Sequence, residues 1–185
     1  KINKIGKRSI NIVGVQKFKS TEHKVIFDRI EAGTYIIAAA LTKGFLKIKN
    51  IDPKIILTEI NLFKKMGVKI SKKKNYVTVY RAKKLKNAKI ITKPYPGFPT
   101  DLQAQTMVLM IKAEGNSTIK ESIFENRFMH VSELRRMGAK IEIVGNEAKI
   151  FGNCKLNGAE LMATDLRASV SLVLAGLITP NKTIV

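Results

Sequence analysis

Apolar positions along the chain fall into two kinds of segment, and each kind predicts a different element. Segments 28–44, 100–115 and 164–176 are apolar and rich in alanine, and each ends at a glycine. Continuous apolar segments of this length predict helices that are buried on most sides. Segments 76–80 and 148–151 alternate between apolar and polar residues, and this period of two predicts strands.

These elements recur along the chain. The apolar helices open at Asp28, Asp101 and Asp165, which are 73 and 64 residues apart. A second, amphipathic helix ends twice in Met-Gly, at 66–67 and at 137–138, and glycine is a common helix stop. Each repeat therefore has the predicted order strand, helix, strand, helix, strand, strand.

The repeats predict the domain organisation. Two repeats are nearly complete, and a third stops at Val185 before its second helix. We expect residues 1–185 to form one domain whose sheets cover the apolar helices. From the length of half a repeat, about 30–40 further residues would complete it. The Pro-rich segment 93–99 predicts a rigid entry to the helix of the second repeat.

The positive charge of the chain raises the question of nucleic-acid binding. The chain has 34 Lys and Arg against 14 Asp and Glu, a formal net charge of +20, and 27 of the basic residues are Lys. Arginine is the residue favoured for bidentate contacts to phosphates and base edges. The basic segments 72–74 and 83–93 have no interleaved aromatic residues that could stack on bases. A solvated Lys-rich surface is therefore the favoured interpretation, and nucleic-acid binding is the alternative.

The few Cys and His residues argue against several kinds of site. Cys154 is the single cysteine, which excludes an internal disulfide framework and a zinc site of several cysteines. His23 and His130 lie far apart and form no metal-ligand pattern. We expect structural roles for Cys154 and His130. Without a secretory signal or an apolar segment of membrane length, we also expect a cytoplasmic protein without metal, cofactor or membrane partner.

One candidate site lies at the start of the second apolar helix. Thr100 can cap this helix, and Gln103 stands at the capping-box position. Asp101 is placed in the first turn, where the helix dipole favours a carboxylate. An ordinary first-turn acid would occupy the same position, so the repeated aspartates could also be structural.

A second candidate is the sequence Glu125-Asn126-Arg127, which follows a predicted strand at 118–124. A strand-to-helix turn of this kind can bind an anion through free backbone N–H groups. A salt bridge at the helix start is the alternative. Arg29 and Arg167 each stand close to a repeat aspartate, and we expect surface ion pairs there.

Longer stretches around these residues resemble the enolpyruvyl transferase family. The resemblance covers essentially the whole chain, and the matching stretches are Asp28–Thr34, Phe98–Gln105, Phe124–His130, Glu133–Gly138 and Ala163–Ser169. It implies an α/β fold, an inside-out α/β barrel of repeated βαβαββ units with helices packed inside against sheets. It also implies two such domains, of which this chain is most of the second and the N-terminal one is missing.

The resemblance also implies an activity. Phe124–His130 is similar to the branch that transfers enolpyruvyl from phosphoenolpyruvate to the 3-hydroxyl of UDP-N-acetylglucosamine and releases phosphate, the first committed step of peptidoglycan synthesis. The cysteine that acts as acid and nucleophile belongs to the missing domain, and Cys154 does not match it. The chain alone is therefore expected to be inactive, and a repeat scaffold that has lost catalysis is a further alternative.

Site residues follow from the same resemblance. Asp101 matches the residue that contacts the sugar hydroxyl and serves as its base, and Thr100 would position it. Ile123 matches a position that contacts the UDP-sugar. The residues that match the lining of the cleft between the two domains are Arg127, Asp165 and Arg167.

Overall fold

The computed structural model describes residues 2–5, 9–80, 82, 84–163 and 165–185, and it describes the backbone alone at residues 4, 5, 167 and 168. The helices are α1 (Arg29–Leu41), α2 (Leu57–Lys65), α3 (Gln103–Ile111), α4 (His130–Arg136) and α5 (Leu166–Gly176), and a single 3-10 turn spans Thr100–Leu102. The strands are β1 (Ile2–Ile5), β2 (Ser9–Ile12), β3 (Leu46–Lys49), β4 (Lys69–Lys73), β5 (Tyr76–Tyr80), β6 (Lys89–Ile91), β7 (Asn116–Lys120), β8 (Lys140–Val144) and β9 (Glu147–Phe151).

The described strands form a hairpin and two larger sheets. β1 pairs with β2, the first repeat forms an antiparallel sheet in the order β3-β5-β4, and the second forms a sheet in the order β6-β7-β9-β8. Within the second sheet β6 is parallel to β7, and the other pairs are antiparallel. A parallel bridge between Glu160 and Ile184 makes the same kind of pairing in the third repeat. The second repeat therefore has the complete predicted order, as β6, α3, β7, α4, β8 and β9.

Helix α3 lies at the centre of the fold. All nine of its residues are buried, and α1 and α5 pack against it. Gly33 favours the close approach of α1, because a Cβ added there would meet the terminal methyl groups of Leu102 and that side chain would have to move. Alternate positions of β7 and β9 are buried and face the helices, while the others face solvent. The prediction of helices inside and sheets outside is confirmed.

The Met-Gly helix stops form the same structure in both repeats. Gly67 and Gly138 have φ angles of 92° and 100°, a conformation that glycine adopts without a steric penalty. The Met66 carbonyl accepts a hydrogen bond from Lys86 N–H at 2.8 Å, and the Met137 carbonyl accepts one from Asn157 N–H at 2.8 Å. The second repeat thus reproduces the turn of the first.

The described strands differ from the predicted ones in two respects. β7 ends at Lys120 rather than near Phe124, because the Glu121 side chain accepts backbone N–H groups from Ile123 and Phe124 and turns the chain. Among the described residues, no strand precedes α1 in the sheet of the first repeat. Residues 13–26 are exposed throughout, so they have no buried face to hold them on that sheet.

The Pro-rich segment 93–99 lies between β6 and the 3-10 turn, so it leads into the helix of the second repeat, as predicted. Arg29 at the start of α1 donates to the Gly97 carbonyl at 3.1 Å, and the Thr58 hydroxyl of α2 donates to the Pro96 carbonyl at 2.6 Å. The segment is thus fixed before it leads into the 3-10 turn. Within the described ranges, no helix combines the length and the apolar character needed to span a membrane.

Candidate active site

An ion pair joins two of the predicted site residues. Arg127 Nη2 donates to Asp101 Oδ1 at 2.7 Å, and the side chains of Arg127 and Asp101 are 13% and 30% exposed. The Arg127 guanidinium also lies over the Phe124 ring, with Cζ 4.8 Å from the ring centroid, which adds a cation–π contact. The helix start and the strand-to-helix turn of the second repeat therefore meet at one point. The salt bridge to Arg127 thus comes from Asp101, not from Glu125 of its own turn.

Thr100 and Gln103 do not form the predicted capping box. Neither the 3-10 turn nor α3 has a side-chain cap. The Thr100 hydroxyl instead donates to Glu121 Oε2 at 2.8 Å, and a carboxylate is a stronger acceptor than a neutral group. Gln103 is buried in the helical core. Thr100 therefore connects the turn that carries Asp101 to the end of β7.

Glu121 is a member of the site that sequence reasoning missed. It is 2% exposed, and its carboxylate accepts four hydrogen bonds. The donors are Thr92 Oγ1 at 2.7 Å, Thr100 Oγ1 at 2.8 Å, Ile123 N at 2.8 Å and Phe124 N at 3.3 Å. The sequence carries only one weak signal, an acid directly after a strand, and solvent-exposed turns have the same pattern.

An open cavity of about 700 Å³ lies over this turn and is lined by Arg127 and by one more predicted residue, Ile123. The lining residues are Glu121–Met129, Ile143, Gly145 and Asn146. Of these side chains, Arg127 is the one cation, and Glu121 and Glu125 are the acids. The cavity thus presents an apolar surface beside the Asp101–Arg127 pair.

A second cavity, of about 270 Å³, brings Asp165 towards the same arginine. Arg127, His130 and Asp165 line it together with Phe124–Asn126 and Met129. His130 is buried, and its Nε2 has no hydrogen-bond partner among the described residues. Burial lowers the pKa of His130 to about 4, the Asp165 carboxylate opposes this effect, and Arg127 reinforces it. The imidazole is therefore neutral at pH 7 and, with this low pKa, a weak base, which agrees with a packing role.

The other repeat aspartate has a structural role. Asp28 caps α1, with its Oδ1 accepting N–H groups from Ile30 at 2.7 Å and Glu31 at 3.4 Å. The expectation that Arg29 pairs with this aspartate was wrong, since Arg29 Nη2 lies 3.0 Å from Oε1 of the buried Glu59 on α2. The Arg167 side chain lies outside the described residues, so its place in the site stays a prediction.

Neither the cysteine nor a cluster of ligands offers further chemistry. Cys154 is buried, with its Sγ 3.1 Å from the Phe151 carbonyl oxygen. In the part of the chain that the structure describes, no group of three or more His, Cys, Asp or Glu residues could hold a metal ion. The site instead offers a carboxylate, oriented by an arginine, that can accept a proton from a hydroxyl group.

Comparison with known sequences identifies relatives of the whole chain. The family model described as EPSP synthase (3-phosphoshikimate 1-carboxyvinyltransferase) matches residues 1–185. The UDP-N-acetylglucosamine 1-carboxyvinyltransferase of Pelagibacter ubique is 63% identical over 179 residues, which are 97% of this chain and 43% of that protein. The protein of the same name from Geotalea daltonii is 51% identical over 183 residues, 99% of this chain and 44% of that protein. This chain thus spans less than half the length of these relatives.

Solved structures agree with the fold. The enolpyruvyl transferase NikO from Streptomyces tendae has a TM-score of 0.79 and 31% identity over 84% of this chain and 38% of that chain. EPSP synthase from Acinetobacter baumannii has a TM-score of 0.64 and 19% identity over 85% of this chain and 38% of that chain, a likeness of fold alone. Because the family model covers the chain from end to end, this chain belongs to the EPSP synthase (3-phosphoshikimate 1-carboxyvinyltransferase) family of enolpyruvyl transferases.

Proposed function

We propose that this chain forms one side of the active site of an enzyme that transfers enolpyruvyl from phosphoenolpyruvate to the 3-hydroxyl of UDP-N-acetylglucosamine. The reaction releases phosphate and is the first committed step of peptidoglycan synthesis. Support comes from relatives at 51–63% identity that carry the name UDP-N-acetylglucosamine 1-carboxyvinyltransferase. Because this chain spans 43–44% of their length, the other side of the site would come from an N-terminal domain, which also supplies the acid and nucleophile.

The observation that carries this proposal is the Asp101 carboxylate, oriented by Arg127 at 2.7 Å beside the large cavity. During the transfer, the bond from the sugar oxygen to the enol carbon replaces the bond from that carbon to the phosphate oxygen. The hydroxyl must lose its proton, and a positioned carboxylate is suited to accept it. Asp101 is the base in this proposal.

The remaining residues would bind and orient the substrate. Ile123 offers apolar contact to the UDP-sugar from the turn that lines the large cavity. Arg127 and Asp165 lie on the smaller cavity between the second and third repeats and would line the cleft with Arg167. Thr100 would set the position of Asp101 through the peptide bond that they share.

The test is Asp101→Asn in the full-length protein. Asparagine keeps an oxygen that accepts from Arg127 but cannot take the hydroxyl proton, so we expect turnover to fall about 10²- to 10⁴-fold. Phosphate release measures turnover, and thermal unfolding checks that the fold is retained.

The matched control is Asp52→Asn. Asp52 lies in the first repeat, in the turn between β3 and α2, where its Oδ1 accepts Lys54 N–H at 2.9 Å. We expect this variant to keep wild-type turnover. Wild-type turnover in Asp101→Asn would refute the assignment of the base.

A further inference from the structure

We propose that Glu121 is a positioning residue, whose side chain fixes Asp101 relative to the turn that lines the substrate cavity. This inference rests on the proposed function, because it assigns Glu121 to the same reaction. Glu121 itself is buried behind the turn and acts through the residues that it holds.

The link to Asp101 runs through Thr100. Glu121 Oε2 accepts the Thr100 hydroxyl at 2.8 Å. Thr100 and Asp101 are successive residues of one 3-10 turn, so fixing the first restricts the backbone of the second. Arg127 then fixes the other end of the Asp101 side chain.

The link to the cavity runs through the second carboxylate oxygen. Glu121 Oε1 accepts N–H groups from Ile123 at 2.8 Å and Phe124 at 3.3 Å, and the Thr92 hydroxyl at 2.7 Å. The Glu121 main chain is also held, since its N–H donates to the Asn146 carbonyl at 2.8 Å and its carbonyl accepts from Asn146 Nδ2 at 2.9 Å. One residue therefore connects the base to two parts of the cavity lining.

The first repeat has a different residue directly after the strand that corresponds to β7. The residue that follows β3 is Asn50, with a φ angle of 60°, in the place that Glu121 has after β7. The next residue, Ile51, donates to the Asn75 carbonyl at 3.2 Å, which closes the same strand-to-helix turn onto its hairpin. A role in the site accounts for the different residue in the second repeat.

The test compares Glu121→Gln and Thr100→Val in the full-length protein. Glutamine has nearly the same shape but replaces one acceptor oxygen with an N–H donor, so it cannot accept all four hydrogen bonds. We expect kcat to fall about 100-fold and KM for UDP-N-acetylglucosamine to rise, because a displacement of about 1 Å can cost that much. Thr100→Val removes only the hydroxyl, and we expect about a 10-fold loss of kcat.

The double variant and a control make the test specific. If the Thr100 hydroxyl contributes only through its hydrogen bond to Glu121, the double variant will be no slower than Glu121→Gln, because effects on one network do not add. The control is Glu114→Gln, which removes an exposed carboxylate paired with Lys84 and should leave kcat and KM unchanged. Thermal unfolding gives the folded fraction, to which every rate is normalised.

Three outcomes would overturn the inference. Wild-type kcat and KM in Glu121→Gln would show that the carboxylate positions nothing. Losses in the two single variants that add in the double variant would show that Thr100 and Glu121 act separately. A folded wild-type protein that releases no phosphate would refute the proposed function itself. This result is distinguishable from a failure of the inference about Glu121, because it is obtained before any substitution is made.

Discussion

His130 is buried where the second and third repeats pack together, and this burial changes its pKa. It begins α4 in the second repeat and lies on the small cavity together with Asp165 from the start of α5. Because it is buried, protonation would place a charge in the core near the Arg127 cation, and this lowers its pKa to about 4. The folded domain therefore resists binding a proton that the unfolded chain accepts readily.

We expect this difference between the folded and unfolded pKa of His130 to lower the free energy of unfolding as the pH falls. An unfolded histidine has a pKa of about 6.5. The contribution of His130 is thus complete above pH 6.5 and is lost as the pH falls towards the folded pKa of about 4. The loss amounts to about 3 kcal/mol in the free energy of unfolding.

Urea unfolding between pH 7 and pH 4 measures this effect. His130→Gln cannot gain the proton and should lose less stability than the wild-type chain over this range. His23→Gln, which replaces the exposed histidine, should keep the wild-type pH dependence. Equal pH dependence in His130→Gln and the wild type would contradict the account.

At this scale, sequence reasoning located single candidates but not their partners. A helix start marked Asp101, and a strand-to-helix turn marked Arg127. Their hydrogen bond spans 26 residues, and it depends on how the turn packs against the helix start, which no local pattern encodes. Glu121 could not be found, because its importance comes from donors that four different positions bring to it.

At the scale of elements, Arg29 holds the first repeat against the second. Its guanidinium lies 3.0 Å from Glu59 Oε1 on α2, donates to the Gly97 carbonyl at 3.1 Å, and lies 5.0 Å from the centroid of the Tyr95 ring. Glu59 is 1% exposed. Burial raises the pKa of Glu59, and the nearby Arg29 opposes this effect. The pair therefore prevents an uncompensated charge in the core.

Arg29→Met should destabilise the chain at pH 7 by about 3–5 kcal/mol, because it leaves the Glu59 carboxylate buried without its cation. The penalty should shrink at low pH. A group with a raised folded pKa contributes stability below its unfolded pKa and loses that contribution as the pH rises. Urea unfolding at pH 7 and pH 4 measures both effects.

Two further variants test the cause. Arg29→Met combined with Glu59→Gln removes the charge and should recover part of the lost stability. Lys84→Met breaks a pair whose members are 75% and 53% exposed, and it should cost about 0–1 kcal/mol. A double variant no more stable than Arg29→Met would show that lost packing, rather than the buried charge, explains the result.

The elements themselves were largely predictable, and the early end of β7 is an exception with a clear physical reason. Strand β5 has the predicted bounds, and the apolar helices occur where their patterns placed them. β7 ends early because a side chain competes for the backbone N–H groups that would continue the strand. A period of two describes only the two faces of a strand, so it cannot register a side chain that accepts backbone N–H groups.

For the molecule as a whole, the charge of +20 is not concentrated at the candidate site. The large cavity there has Arg127 as its single cationic side chain. A cavity of about 1,110 Å³ in the first repeat contains much more positive charge, from Lys24, Lys54 and Lys72–Lys74. The overall charge thus carries little information about the site, and the arrangement of a few polar residues carries more.

Several large apolar side chains are exposed in the part of the chain that the structure describes. Large apolar side chains are exposed in the N-terminal segment, with Phe18 at 90% and Val25 at 78%, and on α5, with Leu166 at 89%. Extended apolar surface of this kind usually marks a site of packing. A second domain, as the proposed function requires, would cover such surface and complete the cleft.

The most direct test of the central claim is release of phosphate from phosphoenolpyruvate and UDP-N-acetylglucosamine. The full-length protein and the 185-residue chain would be assayed side by side, with omission of UDP-N-acetylglucosamine as the control. The account predicts release by the full-length protein only, and only when both substrates are present. Release by the 185-residue chain alone, or none by a folded full-length protein, would contradict it.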